Sequence, residues 1–306
     1  MPTNPNTPLN RAGTQASKEI VPVLKNILVG RRFASINPYL KGDGKTAFEY
    51  THVSDLSDAF TQWKLPSGSG EHRDGVTTSF SIVKIPVIYK EFETEMADIM
   101  AWENRTVSPG QENNLNLITA NFAARKVAEQ EEEIIFNGWK PDGTNYSIKG
   151  FTQAAKNSVS GGSIATVGTM FGYISEAIGK LEEDGVIGEN NSYNVGLPTA
   201  IMAKLRTLRF TNGDTELSKI QELLGNGKLY VTPNLSGTAV VLPVDTARQH
   251  VEFLNPVDYR IEFAHPKYDN IGSVEGIAYE LFTPAYTRVD ANGQTEAICK
   301  ITSLTA

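Results

Sequence analysis

Residues 113–138 read NNLNLITANFAARKVAEQEEEIIFNG, and the spacing of their apolar side chains decides the architecture. Leu117, Ala120, Ala124 and Val127 recur at steps of three and four, which places them on one stripe of an α-helix; Ile134, Ile135 and Phe136 close the segment. No proline interrupts it, so a helix of roughly 24 residues, about 36 Å long, is predicted. Ala120, Ala123, Ala124 and Ala128 keep its middle thin enough for a sheet or helix to approach closely, and Gly138 supplies the usual C-terminal stop. The opposite face carries Arg125, Lys126, Glu129, Glu131, Glu132 and Glu133, expected to form a solvated or inter-subunit surface.

The 306-residue chain is 40% hydrophobic and 21% charged, the composition of a folded protein, and it is long enough for one large or two ordinary domains. A formal net charge of −7 without a basic stripe argues against a nucleic-acid surface held by phosphate contacts. A single cysteine, Cys299, excludes an internal disulfide, so stability must come from packing or from partner subunits. No run approaches the about 18 apolar residues of a membrane span, and residues 1–13 contain no apolar signal region. The expectation is a cytosolic protein with no membrane partner.

Outward from the helix, residues 1–15 read as an extended arm and residues 16–29 as a short helix ended by Gly30. Residues 48–92 read as one long β-hairpin: its descending arm, VTTSFSIVKIPVIYKEFE, alternates from Thr78 to Val83, and PSGSGEHRDG at 66–75 is too polar for a core. A short helix is expected at 93–104, a strand at 148–151 and a loop at 158–163. From Val167 helices alternate with strands, which suggests a second domain. Helices are expected around 171–181, 198–208 and 220–224, and strands at 193–197, 228–232, 239–244, 257–263, 277–287 and 296–301. The last two strands read as a hairpin through Asp290–Gly293.

Chemistry-bearing motifs are sparse. Gly44-Lys45-Thr46 lacks the glycine of a phosphate loop, since Tyr39 stands in its place, and reads as a glycine turn. His52, His72, His250 and His265 form no metal-binding spacing and read as surface or interface histidines. The acidic run 129–133 lacks the Glu-x-x-His partner of a carboxylate di-metal site, and no Gly-x-Ser-x-Gly elbow occurs. No catalytic, cofactor or metal residue is assigned. An arm, a projecting hairpin and a long helix describe a chain whose exposed backbone and apolar groups another copy would cover.

Several segments, taken in order, resemble the Hong Kong 97 type capsid family, which includes tailed-virus major capsid proteins and encapsulin (linocin-like) shells. Gly30-Arg31-Arg32-Phe33 is similar to the "GRRF" of the encapsulin branch, and residues 85–92, IPVIYKEF, fall where that branch carries "PLVELRVPF". AARKVAEQEEEIIFNG at 123–138 resembles "AARRIAAAEDRAIFHG", and Ile148-Lys149-Gly150-Phe151 stands at its "IxGI". Val231-Thr232-Pro233-Asn234 with 237–242, GTAVVL, resembles "VSPALEGGAVVL". The resemblance runs from about residue 27 to 302.

It implies an α+β fold with an N-terminal arm and short helix (1–47), an extended loop (48–92), a peripheral domain with the long spine helix (93–163 and 277–306) and an axial domain (164–276). The implied function is a non-enzymatic shell subunit that self-assembles into an icosahedral particle with many copies of itself. Candidate inter-subunit contacts are Phe60, Trp63, Lys64 and Arg73 in the loop, with Arg31, Arg32, Glu131 and Glu132. Encapsulins typically begin with an amphipathic, acidic helix containing tryptophan that helps hold cargo, whereas residues 1–15 here are rich in proline and asparagine. That departure favours a tailed-virus major capsid protein, in a virion assembled in the host cytoplasm around double-stranded DNA bound without sequence specificity, with portal or decoration proteins as further partners. The alternative is a cytoplasmic encapsulin nanocompartment enclosing a cargo enzyme.

Overall fold

The computed structural model describes residues 28–40, 46–53, 78–95, 98, 115–246, 250–263, 273–286, 289–290 and 292–306. The expected arm, the helix at 16–29 apart from its last two residues, the hairpin tip at 66–75, Gly44-Lys45 and nearly all of 96–104 lie outside them.

In chain order the strands are β1 (Ser35–Ile36), β2 (Ala47–Val53), β3 (Thr78–Lys84), β4 (Val87–Glu95), β5 (Ala155–Ser160), β6 (Tyr193–Pro198), β7 (Leu229–Thr232), β8 (Ala239–Pro243), β9 (Val251–Phe263), β10 (Ser273–Tyr286) and β11 (Thr295–Thr302). The α-helices are α1 (Leu115–Asn137), α2 (Phe151–Ala154), α3 (Thr169–Glu183), α4 (Thr199–Leu205) and α5 (Glu216–Leu223). Helix α1 is the long helix predicted from the alanine-rich stripe: Ala120, Ala124, Val127, Ile134 and Ile135 are buried, and Gly138 follows at φ +75°. It lies across β10 and β4, where its small residues permit close contact.

Two sheets form the body, ordered β1-β9-β10-β4 and β5-β11-β8-β6-β7. In the second, β6 and β8 are buried along their whole length while the edge strand β5 alternates between buried and exposed, as central and edge positions require. Helix α3 covers β11 and β5 through Met170, Ile174, Ala177, Ile178 and Leu181. Pro198 stands immediately before α4, and the Thr215 hydroxyl caps α5 by accepting the Ser218 N–H. One continuous apolar core joins the two sheets.

Strand pairing differs from the sequence expectation at four places. The descending hairpin arm splits at Pro86, which has no N–H for a ladder: β3 pairs with β2, whereas β4 crosses to pair with β10. Residues 93–95, expected to open a helix, continue β4. Phe151 begins the short helix α2 rather than ending a strand, and Ser158–Ser160 are strand, not loop. Finally, β10 and β11 flank a tight turn, with Gly293 N–H bonded to the Asp290 carbonyl, but do not pair with each other. Strand β10 joins β9 and β4, while β11 joins β5 and β8.

Candidate functional site

Residues 28–33, LVGRRF, are the first described residues and form a joint with α1 and the sheets. Gly30–Arg32 make one 3-10 turn, and a Cβ on Gly30 would stand 2.6 Å from Ile135 Cδ1, so glycine lets the turn lie against α1. The opening backbone donors of the turn need a partner. Glu132 on α1 provides it, accepting the N–H of Val29 and, at 2.8 Å, that of Gly30. Burial lifts the Glu132 pKa above the carboxylate norm, opposed by these two N–H groups and by the Thr232 hydroxyl.

Arg31 reaches the other way. Its Nε donates to Glu131 Oε1 at 2.6 Å and its Nη2 to Glu131 Oε2 at 3.0 Å. The same Nη2 donates to Glu280 Oε2 at 2.6 Å, while Nη1 donates to Asp258 Oδ1 at 3.0 Å. The Tyr259 hydroxyl donates to Glu131 Oε2 at 2.5 Å, and the guanidinium lies 4.9 Å from the Tyr259 ring centre and 5.5 Å from that of Phe282. A β-bulge makes this convergence possible. Tyr279 pairs with Arg260 and Leu281 with Val257, so Glu280 alone faces two β9 residues, Asp258 and Tyr259.

Glu131 and Glu280 are closed to solvent and Arg31 is 7% exposed. Burial by itself lowers the pKa of the guanidinium; Glu131 and Glu280 more than reverse this, and Arg31 stays charged. Burial, then Glu131 and Glu280, raise the Tyr259 pKa, so its phenol keeps its proton and remains a donor. Next along the chain, Phe33 packs edge-on against Phe136 at 5.6 Å and against Phe151 and Tyr230 at 5.8 and 4.9 Å. Arg31 and Phe33 together pin this segment to α1 and to strands of both sheets.

A second feature is a groove of about 1120 Å³ where the root of the β2–β3 hairpin meets β4 and the loop after α1. It is lined by Ile82, Val87, Tyr89, Trp139, Tyr146 and Val289, six of the ten large apolar side chains exposed among the described residues. Ile82 is 69% and Tyr89 60% exposed, and it is the gathering of six such side chains in one place that marks a contact surface. Lys84 and Lys149 also line it, and Lys140 lies over the Tyr146 ring at 4.2 Å. Among the described residues no His, Cys, Asp and Glu group is arranged to hold a metal ion, and no helix is long and apolar enough to cross a membrane.

Of the eight candidate contact residues, Phe60, Trp63, Lys64 and Arg73 lie outside the described residues. Arg31, Glu131 and Glu132 are brought together, but their bonds are internal to the chain, and of the four only Arg32 is exposed. The expected charged face of α1 is therefore made by Arg125, Lys126 and Glu129, while Glu131 and Glu132 belong to the interior. The signal was present: residue 131 continues the stripe 120-124-127, and 132 follows Ala128 by one turn. Glu280 was missed; it stands on the inward parity of β10 between the buried Ala278 and Phe282.

The profile of the Linocin_M18 family, described as "Encapsulating protein for peroxidase", matches residues 7–273. The chain belongs to this family. No curated protein matches the sequence. Among solved structures, the virus-like particle from Pyrococcus furiosus aligns with a TM-score of 0.60 at 12% identity, over 94% of this chain and 96% of that one. The capsid of Myoviridae Phage XM1 gives 0.66 at 10% identity, over 92% of each chain. A structure from Mycobacterium phage Ogopogo gives 0.60 at 15% identity, over 90% and 92%. The fold is thus the Hong Kong 97 type that the resemblance implied, and the chain is a shell subunit of the capsid and encapsulin type.

Proposed function

We propose that the chain is the major capsid protein of a tailed virus, whose copies close into an icosahedral shell around double-stranded DNA in a virion assembled in the host cytoplasm. The observation that carries this choice is the composition of residues 1–15, which include neither an acidic residue nor a tryptophan, the residue types with which encapsulins typically hold cargo. The charge of −7 supports enclosure without tight binding, since a polyanion is attracted only by clustered cations. A second reading, a nanocompartment enclosing an enzyme, draws on the family description of an encapsulating protein for peroxidase. Particles purified from the natural source distinguish the two: double-stranded DNA protected from added nuclease and a portal vertex support the first, a packaged peroxidase the second.

The apolar groove supports a contact between copies. Its occupant in this reading is the hairpin segment of an adjacent subunit, residues 55–64, which places Leu56, Phe60 and Trp63 among Asp55 and Asp58 and so suits an apolar groove rimmed by lysines. The hairpin is paired from Ala47–Lys84 at its root to Val53–Thr78; six residue steps carry its far end about 20 Å from that root, far enough in this reading to reach an adjacent subunit. In this reading Lys64 and Arg73 belong to the rim of the same contact, and the exposed Arg32 to a further contact between copies.

A further inference from the structure

Three acids surround one guanidinium. Arg31 Nη2 donates to both Glu131 Oε2 and Glu280 Oε2, at 3.0 and 2.6 Å, so two fully buried carboxylates converge on a single nitrogen. Asp258, the third, is 32% exposed and shares its charge with solvent. The other Glu280 oxygen, Oε1, is buried and has no hydrogen-bond partner. Every element packed around Glu280 contributes to its surroundings: Arg31 from the 3-10 turn, Glu131 and beyond it Glu132 from α1, and Asp258 and Tyr259 from β9. From β4 the facing residue is the apolar Ile88. One cation cannot neutralise two buried carboxylates, and an unpartnered oxygen is far costlier as part of an anion than as part of a neutral acid.

We propose that Glu280 is an alkali-sensitive latch: in the closed subunit it is a neutral acid, and when it ionises the joint holding residues 28–33 to α1 and β10 loosens. The direction is fixed by the surroundings. Burial, and next the charge of Glu131, raise the pKa of Glu280 well above the ordinary value of 4.5, against the pull of Arg31. A carboxyl whose pKa is higher folded than unfolded adds stability that is complete below the unfolded value. That stability is lost progressively as pH rises toward the folded value. For one proton the loss reaches tenfold in the folding equilibrium per pH unit across that window.

The joint is the place where such a change has reach. Phe33, two residues beyond Arg31, is wedged among Phe136, Phe151 and Tyr230, and residues 1–27 precede this segment in the sequence. Ionisation of Glu280 therefore weakens the anchorage of residues 28–33 in every subunit of a shell at once. The latch is a property of the folded subunit and is independent of what the shell encloses.

Glu280→Gln removes the titration while keeping an oxygen for Arg31 and adding an N–H for Glu131. Melting temperatures of assembled wild type and variant, recorded from pH 5 to pH 10, should nearly coincide at the acid end and separate progressively above it, with wild type falling faster. Parallel curves overturn the latch. A second measurement needs only wild type: the infrared carbonyl band of a buried, protonated carboxylic acid should be present at pH 7 and disappear near the pH at which the fall in melting temperature attributable to Glu280 levels off. Its absence at pH 7 overturns the proposal even if the variant fails to fold.

Discussion

Arg31 and Glu131, separated by 100 residues in sequence, are joined by two parallel hydrogen bonds, Nε to Oε1 at 2.6 Å and Nη2 to Oε2 at 3.0 Å. A planar guanidinium makes this fork and an ammonium cannot. Arg31→Ala leaves Glu131 and Glu280 buried without their cation and should cost about 3–5 kcal/mol. Arg31→Lys should fall between that and wild type, because one point charge replaces a fork. Chemical denaturation of the three proteins gives the order; an Arg31→Ala protein as stable as wild type would show the joint to be dispensable.

Gly138 and Gly150 meet backbone to backbone below the end of α1. A Cβ on Gly150 would lie 2.4 Å from Gly138 N and 2.6 Å from Phe136 C, atoms that cannot rotate away. Gly150→Ala should therefore destabilise by about 1–3 kcal/mol or more. Gly179, inside α3 with nothing within 4 Å of its would-be Cβ, is the control: Gly179→Ala should stabilise by about 0.5–1 kcal/mol. Thermal melts of both variants check the contrast, and equal effects would refute it.

Charging the groove should separate assembly from folding. Tyr89→Glu places a carboxylate among Ile82, Val87, Trp139 and Tyr146 at a position 60% exposed in the subunit, so circular dichroism should be unchanged while particle yield drops. Deleting residues 67–74 from the hairpin tip should have the same signature. Full particle yield from both would mean that neither the groove nor the tip is an inter-subunit contact.

Cys299 is closed to solvent on β11, and burial pushes its thiol up to about 12. The thiolate is the reactive form, so a thiol reagent at pH 8 should leave the native protein unlabelled and react stoichiometrically after denaturation. Rapid labelling of native protein would place this strand in an opening part of the fold.

The sequence made α1 legible because alanines at helical spacing can mean little else. It also exposed β8, whose unbroken apolar run AVVLP suits a central strand. Pairing partners were less visible: residues 76–93 look like one strand until Pro86 diverts its second half to β10, and Asp290–Gly293 looks like a hairpin turn although its flanking strands belong to different sheets. Those outcomes depend on contacts between residues far apart in sequence. The buried joint was half legible: Glu131 lies on the apolar stripe, so its burial follows from periodicity, but the convergence of Asp258, Tyr259 and Glu280 depends on a bulge that no local pattern announces.

Cryo-electron microscopy of the purified full-length chain tests the central claim most directly. If the groove and hairpin are completed by further copies, closed shells of uniform diameter should fill the field, with the hairpin of each subunit lying across its neighbour. A stable monomer at micromolar concentration, its groove open to solvent or covered by its own hairpin, would contradict the account.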